Sequence, residues 1–337
     1  MQQLVTEHAP PELDAALSAV DRCRIELVRT GRADLQRALA EHDRDVTALP
    51  VLEEVVWDGP ELVLTVTTTL VDADGSPIRF RRDRDRWVRE VPDELASALS
   101  PTARDITADL KRATFQVSVK GRTSRSTWPL AGQGRVSCTD DGSGRGVITA
   151  VVTARFDPVA FAAEHDLDDP VWDFAARLSV IGYGSHRGLR GGRTVVGLLA
   201  GVAAVGYENR DGLYSLDMSA AVRTVVGSAA PSTQDVRLEA EPRQDGLRVR
   251  ALLPLPDVHC FGDTRLEGQV HVGAQIRAPA ILSTQEGRAE LRFEVTAPER
   301  EHDLRARFSG RTGATGLVLS VSGQTAAVSS RPSSIPD

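Results

Sequence analysis

The sequence predicts a mainly β protein: two tandem antiparallel β-sandwiches, immunoglobulin-like or jelly-roll-like, preceded by a short helical hairpin. Three observations predict it. From Pro50 onward, apolar residues alternate with polar ones at period 2 between turns rich in Gly and Asp. Before Pro50 the apolar spacing is helical. Three segments of the first β stretch are also echoed, in the same order, in the second. At 337 residues and 41% hydrophobic content the chain is long enough for two cores. With aromatics at only 4%, Val, Leu and Ala must fill them.

Residues 1–49 are expected to form the helical hairpin. Pro10-Pro11 starts a first helix and Gly31 stops it, and Val20, Leu27 and Val28 belong to its apolar side. A second helix runs from Ala33 to about Val46. Such a hairpin is too small to bury a core of its own, so it must pack on something else.

The first sandwich is placed at residues 50–230, with insertions. Val55–Trp57 and Glu61–Leu70 flank the turn Asp58-Gly59-Pro60, and Leu62, Leu64 and Val66 alternate against Val63, Thr65 and Thr67. Ile78–Val91 reads as a charge-laced strand or pair of strands, and Val91–Asp109 as a loop with a short helix. The stretch Asp168–Ser219 organises this unit. There Trp172, Phe174, Ala176, Leu178 and Val180 share one strand face. Val195–Val205 is apolar enough to be a strand buried on both sides, and Asn209–Gly212 turns the chain into a last strand. Gly227–Gln234 has linker composition. The second sandwich is placed at residues 231–325 and a disordered tail at 326–337.

The echoes support a duplication. Trp57–Val66 is matched by Gln244–Leu253, Val171–Ser179 by Glu301–Ser309, and Gly212–Ser219 by Gly316–Ser322.

Charge and cysteine usage exclude several classes. A net charge of −7 lacks the basic face that general nucleic-acid binding needs. Three cysteines, Cys23, Cys138 and Cys260, never form a C-x-x-C pair, which argues against a disulfide framework or zinc site and for a reducing compartment. No apolar run approaches the roughly 18 residues of a membrane span, and the N-terminus shows no signal peptide. The expected location is the cytoplasm, with a peripheral position at the inner face of the membrane as an option.

No catalytic site, metal site or cofactor is indicated by motif. Asp43-Arg-Asp45 and Asp83-Arg-Asp85 match the D-x-D by which nucleotide-sugar enzymes hold a divalent metal. The arginines around Asp83 and Asp85 would cancel their charge, however, and a solvated strand with cross-strand ion pairs explains them better. Gly184-Ser185-His186 sits between strands, whereas a nucleophile elbow needs a strand before it and a helix after it, so a turn serine is expected. His259-Cys260 and His271 have no second close pair and read as an ordinary thiol and surface histidines. Among the four tryptophans, Trp57 and Trp172 lie in apolar rows and belong to the core. Trp87 and Trp128 lie among Arg, Ser and Thr. With Arg82, Arg84 and Arg125 they form the candidate ligand-binding set, since exposed rings stack on sugars and guanidinium groups meet phosphates. A merely solvated face is the alternative.

The helical hairpin, then WDGPELVLTVTT, DPVWDFAARLSVIGYGSHRGLRGG and ENRDGLYSLDMS, resembles the region after the catalytic domain in actinobacterial family-2 glycosyltransferases. These are similar to the wall teichoic acid glycosyltransferases of the TarS and TarP kind. The resemblance covers most of the chain and rests on structural motifs. It implies β-sandwich modules behind a helical linker that mediate self-association, often as a trimer, and help engage a glycan or teichoic-acid-like acceptor polymer. It carries over no catalytic residue, because this sequence shows no α/β catalytic domain and no credible metal-binding D-x-D. The expectation is a non-catalytic accessory and oligomerisation module of a glycosyltransferase-like cell-envelope polymer system; the alternative is a stand-alone carbohydrate-binding β-sandwich protein.

Overall fold

The computed structural model describes residues 11–166, 169–218, 236–273, 275–298, 300–308, 311–322 and 325–330. The fold is mainly β, with a short helical element in front. Helix α1 (Ala19–Arg29) begins at Ser18, whose hydroxyl accepts the Asp21 N–H, and ends in the Thr30-Gly31 turn. Helix α2 (Gln36–Asp43) follows a single 3-10 turn. The hairpin packs as the sequence demands of so small a unit. Cys23, Leu27, Leu35 and Leu39 form a satellite core with Leu95, Leu99 and Ala103 from the insertion at residues 91–109. That insertion holds two short helices, α3 (Asp93–Ala98) and α4 (Thr107–Arg112). Asp109 on α4 is buried and accepts the Ala19 N–H at 3.1 Å and the Arg22 guanidinium at 2.9 Å, which ties the start of α1 to the β unit.

The first sheet contains β1 (Thr47–Ala48), β2 (Val51–Asp58), β3 (Glu61–Val71), β4 (Arg79–Asp83), β5 (Arg86–Arg89), β8 (Ala131–Asp140) and β9 (Arg145–Phe156). Strands β3 and β9 run side by side at its centre, with Leu62 opposite Phe156 and Thr69 opposite Thr149. Strand β2 flanks β3 and β8 flanks β9. The second sheet contains β6 (Thr114–Gly121), β7 (Thr127–Pro129), β10 (Val171–Val180), β11 (Tyr183–Gly188), β12 (Val195–Leu199), β13 (Val202–Glu208), β14 (Tyr214–Asp217) and β17 (Val258–Phe261). The inward rows of the two sheets bury each other: Leu62, Leu64 and Val66 from β3, Phe156 from β9, and Trp172, Phe174, Ala176 and Leu178 from β10. Two sheets packed face to face this way make a sandwich. A short helix, α5 (Pro158–Glu164), capped by the Asp157 carboxylate, brings Phe161 against Phe156 and Trp172.

The third sheet is built from β15 (Arg237–Arg243), β16 (Gly246–Leu255), β18 (Arg265–Val272), β19 (Ile276–Gln285), β20 (Arg288–Ala297), β21 (Arg300–Phe308), β22 (Arg311–Ser322) and β23 (Thr325–Ser330). All its pairings are antiparallel, in the order β15-β16-β20-β19-β18-β21-β22-β23, and the end strands β15 and β23 approach each other. Strand β23 falls inside the stretch expected to be a tail. It forms because Ala326 and Val328 find the second core to pack against. Residues 331–337 of that expected tail, the linker Gly227–Gln234 and the N-terminal ten residues lie outside the described residues.

One expected strand is two. Val195–Val205 folds as the hairpin β12–β13, turning through Ala200 and Gly201, both at positive φ (45° and 91°). Two consecutive left-handed residues make the tight turn whose twist matches a hairpin. Apolar on both faces, as the sequence implied, this hairpin serves two cores. Val195, Leu199 and Ala204 point into the first, while Val196, Leu198, Ala203 and Val205 point into the second with Leu253, Leu291 and Phe293. Strand β17, from the second β stretch, then pairs parallel with β12. At that junction Trp57 lies flat over the ring of His259, with centroids 6.3 Å apart, and His259 Nε2 meets the Gly59 carbonyl at 2.8 Å. The three sequence echoes fall on strands, but not in one topology. The hairpin β2–β3 lies in a different sheet from β10 and β14, whereas β15–β16 and β21–β22 share one sheet.

Candidate functional site

The residues singled out from sequence separate into two distant places. Arg82 and Trp87 are cross-strand partners in the β4–β5 hairpin, and the Arg82 guanidinium sits 6.0 Å from the centre of the Trp87 ring. Arg84 forms the hairpin tip at φ 58°, where its carbonyl accepts Arg82 Nε at 3.3 Å. Trp87 is half-buried rather than a free platform: its six-membered ring lies over Gly146, leaving no room there for a Cβ. Arg82 faces Asp140 at 3.6 Å and Arg86 faces Asp105 at 3.9 Å, so this arginine stretch is laced with ion pairs. Trp128 belongs to an aromatic cluster at the other end of β9, edge-on to Trp172 (6.1 Å), Phe161 (5.5 Å) and His165 (5.8 Å). Arg125 is exposed in the β6–β7 turn at φ 59°. Gly146 and Phe156 are separated by about 33 Å of extended strand. Trp87 and Trp128 therefore do not line one site.

The structure assembles a polar centre around Asp43, the first aspartate of the Asp43-Arg-Asp45 match. Asp43, at the end of α2, accepts a hydrogen bond from Arg89 on β5 and another from the Tyr183 hydroxyl on β11 at 2.9 Å. The Arg89 side chain is fully buried, Asp43 nearly so, and the guanidinium lies 5.6 Å from the Tyr183 ring centre. Burial pushes the Tyr183 hydroxyl well above its ordinary pKa. His42 beside it keeps an exposed face, yet partial desolvation of its ring first, and the Arg89 charge second, push its pKa down. Asp43 is thus the carboxylate of a structural ion pair, and in this arrangement it holds the helices to both sheets.

A second network lies on the outward face of β10. Arg122 grips Asp173 through Nε and Nη2 at 2.9 and 2.7 Å, and the Ser215 hydroxyl donates to the same carboxylate at 2.7 Å. Burial works to raise the Asp173 carboxyl, but these bonds outweigh it and hold the group below its ordinary range. Asp169 behaves likewise: burial is offset by the Ser124 and Thr123 N–H donors, and its pKa falls.

Ser185 lies inside strand β11, where its hydroxyl donates to the Ala48 carbonyl at 3.2 Å and meets Thr47 Oγ1 at 3.3 Å; it is a strand serine rather than a turn serine. The thiols are also poor nucleophiles in this setting. Burial raises Cys23 to about 11 and Cys138 to about 12. Among the described residues, no group of three or more His, Cys, Asp or Glu is placed to hold a metal ion. No described helix is long and apolar enough to cross a membrane.

Two grooves meet at the Gly184-Ser185-His186 segment. One, of about 450 Å³, runs over the outer face of the second sheet and is lined by Gln116, Ser118, Thr127, Pro129, Arg177 and this segment. The other, of about 350 Å³, lies on the far side of β11 against residues 44–47. Sequence reasoning missed this place because its residues come from four strands that only the pairing register aligns: Arg177 stands opposite both Gln116 and His186.

No family model and no curated protein matches the chain. Among solved structures, it is similar to Staphylococcus aureus TarS, at 9% identity and a TM-score of 0.31 over 91% of this chain and 51% of that one. It is also similar to the TarS fragment 217–571, at 10% identity and a TM-score of 0.25 over 93% of this chain and 82% of the fragment. The chain thus spans about half the length of TarS. This is a distant likeness.

Proposed function

We propose that this chain is a non-catalytic accessory module of a glycosyltransferase-like cell-envelope polymer system, which self-associates and engages the acceptor polymer. The placement in such a system rests on the sequence resemblance described above. The self-association rests on one observation, the outer face of the first sheet. On its two central strands the outward residues are Val63, Thr65, Thr67 and Thr69 from β3 and Val147, Thr149, Val151 and Thr153 from β9. This stretch carries no charge, in a chain that is 26% charged. Val151 and the neighbouring Val51 of β2 are each 43% exposed. Charges gather at its margins: Arg155 with Asp58 and Glu61 at one end, Arg145 with Glu90 at the other, and Glu53 bonded to Thr67 along the β2 side. An uncharged, β-branched centre two strands wide, with Arg135 opposite Val151 on one side and Glu54 opposite Thr65 on the other, has the composition of a protein interface with a charged rim, and a second copy of this chain is the occupant.

Light scattering over a concentration series tests this reading. The expected result is a closed oligomer, dimer or trimer, that dissociates in the double variant Thr67→Lys/Val151→Lys while circular dichroism stays unchanged. A monomer at every concentration, or an oligomer indifferent to the two lysines, would overturn the assembly role. A monomer would also turn attention to the second reading, a stand-alone carbohydrate-binding protein. That reading is favoured by the half-exposed Trp87 with Arg82 at its ring, the Trp128/Arg125 end of β9 being a separate place.

A further inference from the structure

We infer that the β10–β11 turn is held under backbone strain by the helical hairpin, so that α1 and α2 together set the position of β11. This goes beyond the assembly and acceptor roles proposed above and rests on neither. Val180 pairs with Tyr183, so the chain reverses through Ile181 and Gly182 alone, at φ 50° and 102°. A two-residue hairpin turn with positive φ at both places suits Asn-Gly or Gly-Gly. For a β-branched residue the left-handed region is a true outlier, because its Cβ crowds the following carbonyl oxygen. Ile181 adopts it while buried in the first core, not in a free surface loop.

Such a conformation persists only where its surroundings over-determine it, and here the helices do so residue by residue. The Ile181 carbonyl accepts the Val20 N–H at 3.2 Å, one of the N–H groups that the first turn of α1 leaves without a helical partner. Gly182 lies against the residue that caps α1: a Cβ there would come within 2.5 Å of Ser18 Oγ and 2.9 Å of Val20 Cβ. The Tyr183 hydroxyl donates to Asp43 at the end of α2, at 2.9 Å. Three successive residues of one turn are thus each engaged by the helical hairpin. Beside them a cavity of about 270 Å³ lies between Ala16, Ser18, Asp109 and Arg112 on one side and residues 179–182 on the other. The turn has space to relax into, and the helices keep it out. Strand β11 continues directly from Tyr183, and its Gly184-Ser185-His186 segment is the wall that the two grooves share. A displacement of α1 or α2 is therefore passed through the turn to both grooves.

Hydrogen exchange of the full chain, read at the β11 amides against those of β3 and β9, tests both the strain and the clamp. Ile181→Gly and Ile181→Ala lose nearly the same buried contacts and differ in backbone strain. In an ordinary strand alanine protects better than glycine; at a left-handed position the order reverses. The β11 amides of Ile181→Gly are expected to exchange about fivefold more slowly than those of Ile181→Ala. Equal rates, or slower exchange in the alanine variant, would show an unstrained turn and overturn the inference. Tyr183→Phe removes the bond to Asp43 and should speed β11 exchange about fivefold while β3 and β9 stay as in the parent. Unchanged β11 rates would show that the helices do not hold the turn. An acceleration spread equally over β3 and β9 would report a general loss of stability and also overturn the inference. The tyrosine variant leaves the turn itself intact, so it decides the clamp even where neither position-181 variant folds. Failure here would leave the light-scattering result untouched, so the two proposals fall separately.

Discussion

The two cores of this molecule are built from different materials. The first sets aromatic rings, among them Trp172, Phe80, Phe156, Phe174 and Tyr214, into an aliphatic packing, and stands beside a fully buried arginine. The second is almost wholly aliphatic, with Phe293 the one aromatic ring among its described buried residues. Its polar pairing lies outside, where Arg248 and Arg250 share Glu294 at 2.5–2.6 Å, with Glu239 and Glu241 nearby. Shape-specific rings and a buried ion pair define one arrangement, because each partner is costly to lose. Leu, Val and Ala fill space with less directional demand, and exposed pairs contribute little. The first unit thus concentrates its specificity inside, and the second spreads it over the surface.

The largest expected effect tests the buried pair. Asp43→Ala leaves Arg89 charged and buried without its partner and should cost about 3–5 kcal/mol in chemical denaturation. The double variant Asp43→Leu/Arg89→Met should recover much of that loss, since the uncompensated charge is gone. If the single variant costs less than about 1 kcal/mol, the pair is not what holds the helices to the sheets.

The next effect tests whether the two cores are independent. Leu198 is fully buried on the face of the β12–β13 hairpin that points into the second core, yet its strand belongs to the second sheet of the first sandwich. Leu198→Ala should cost about 2–5 kcal/mol. Because the hairpin is common to both cores, calorimetry should show the whole transition moving as one. A shift confined to part of the melt would show two units that unfold separately.

The smallest effect is a pH dependence. His42 has its pKa depressed below the ordinary 6.5, so the folded protein binds fewer protons there than the unfolded chain. Its contribution is fully present above pH 6.5 and is lost as the pH falls through the lower, folded value. His42→Gln should flatten that part of the stability–pH curve. Loss at lower pH, below the ordinary carboxylate value of 3.8, should remain, because Asp169 and Asp173 have depressed values of their own. An unchanged slope in His42→Gln would assign the effect to another group.

Much of this architecture was legible in the residues. Alternation in Leu62–Val66 and in Trp172–Val180 marked inward rows, and every one of those inward side chains is buried. The Asp58-Gly59 pair marks a hairpin turn that the fold contains. Period and turn chemistry act over a few residues, so a sequence displays them directly. The apolarity of Val195–Val205 likewise announced burial on both faces, but not the break at Ala200-Gly201, since alanine seldom adopts a positive φ.

Tertiary structure decided the rest. Asp43 meets Arg89 across 46 residues and Tyr183 across 140, and β17 joins β12 from the other side of a linker. Nothing in local spacing selects those partners, because any exposed aspartate and arginine look alike until burial removes their water. The groove at Arg177 is of the same kind: Gln116, Arg177 and His186 are unremarkable singly, and only strand register makes them neighbours. Local periodicity sets which face of a strand is apolar; which strands then lie together, and which charges are left without partners, is settled by how the sheets close around their cores.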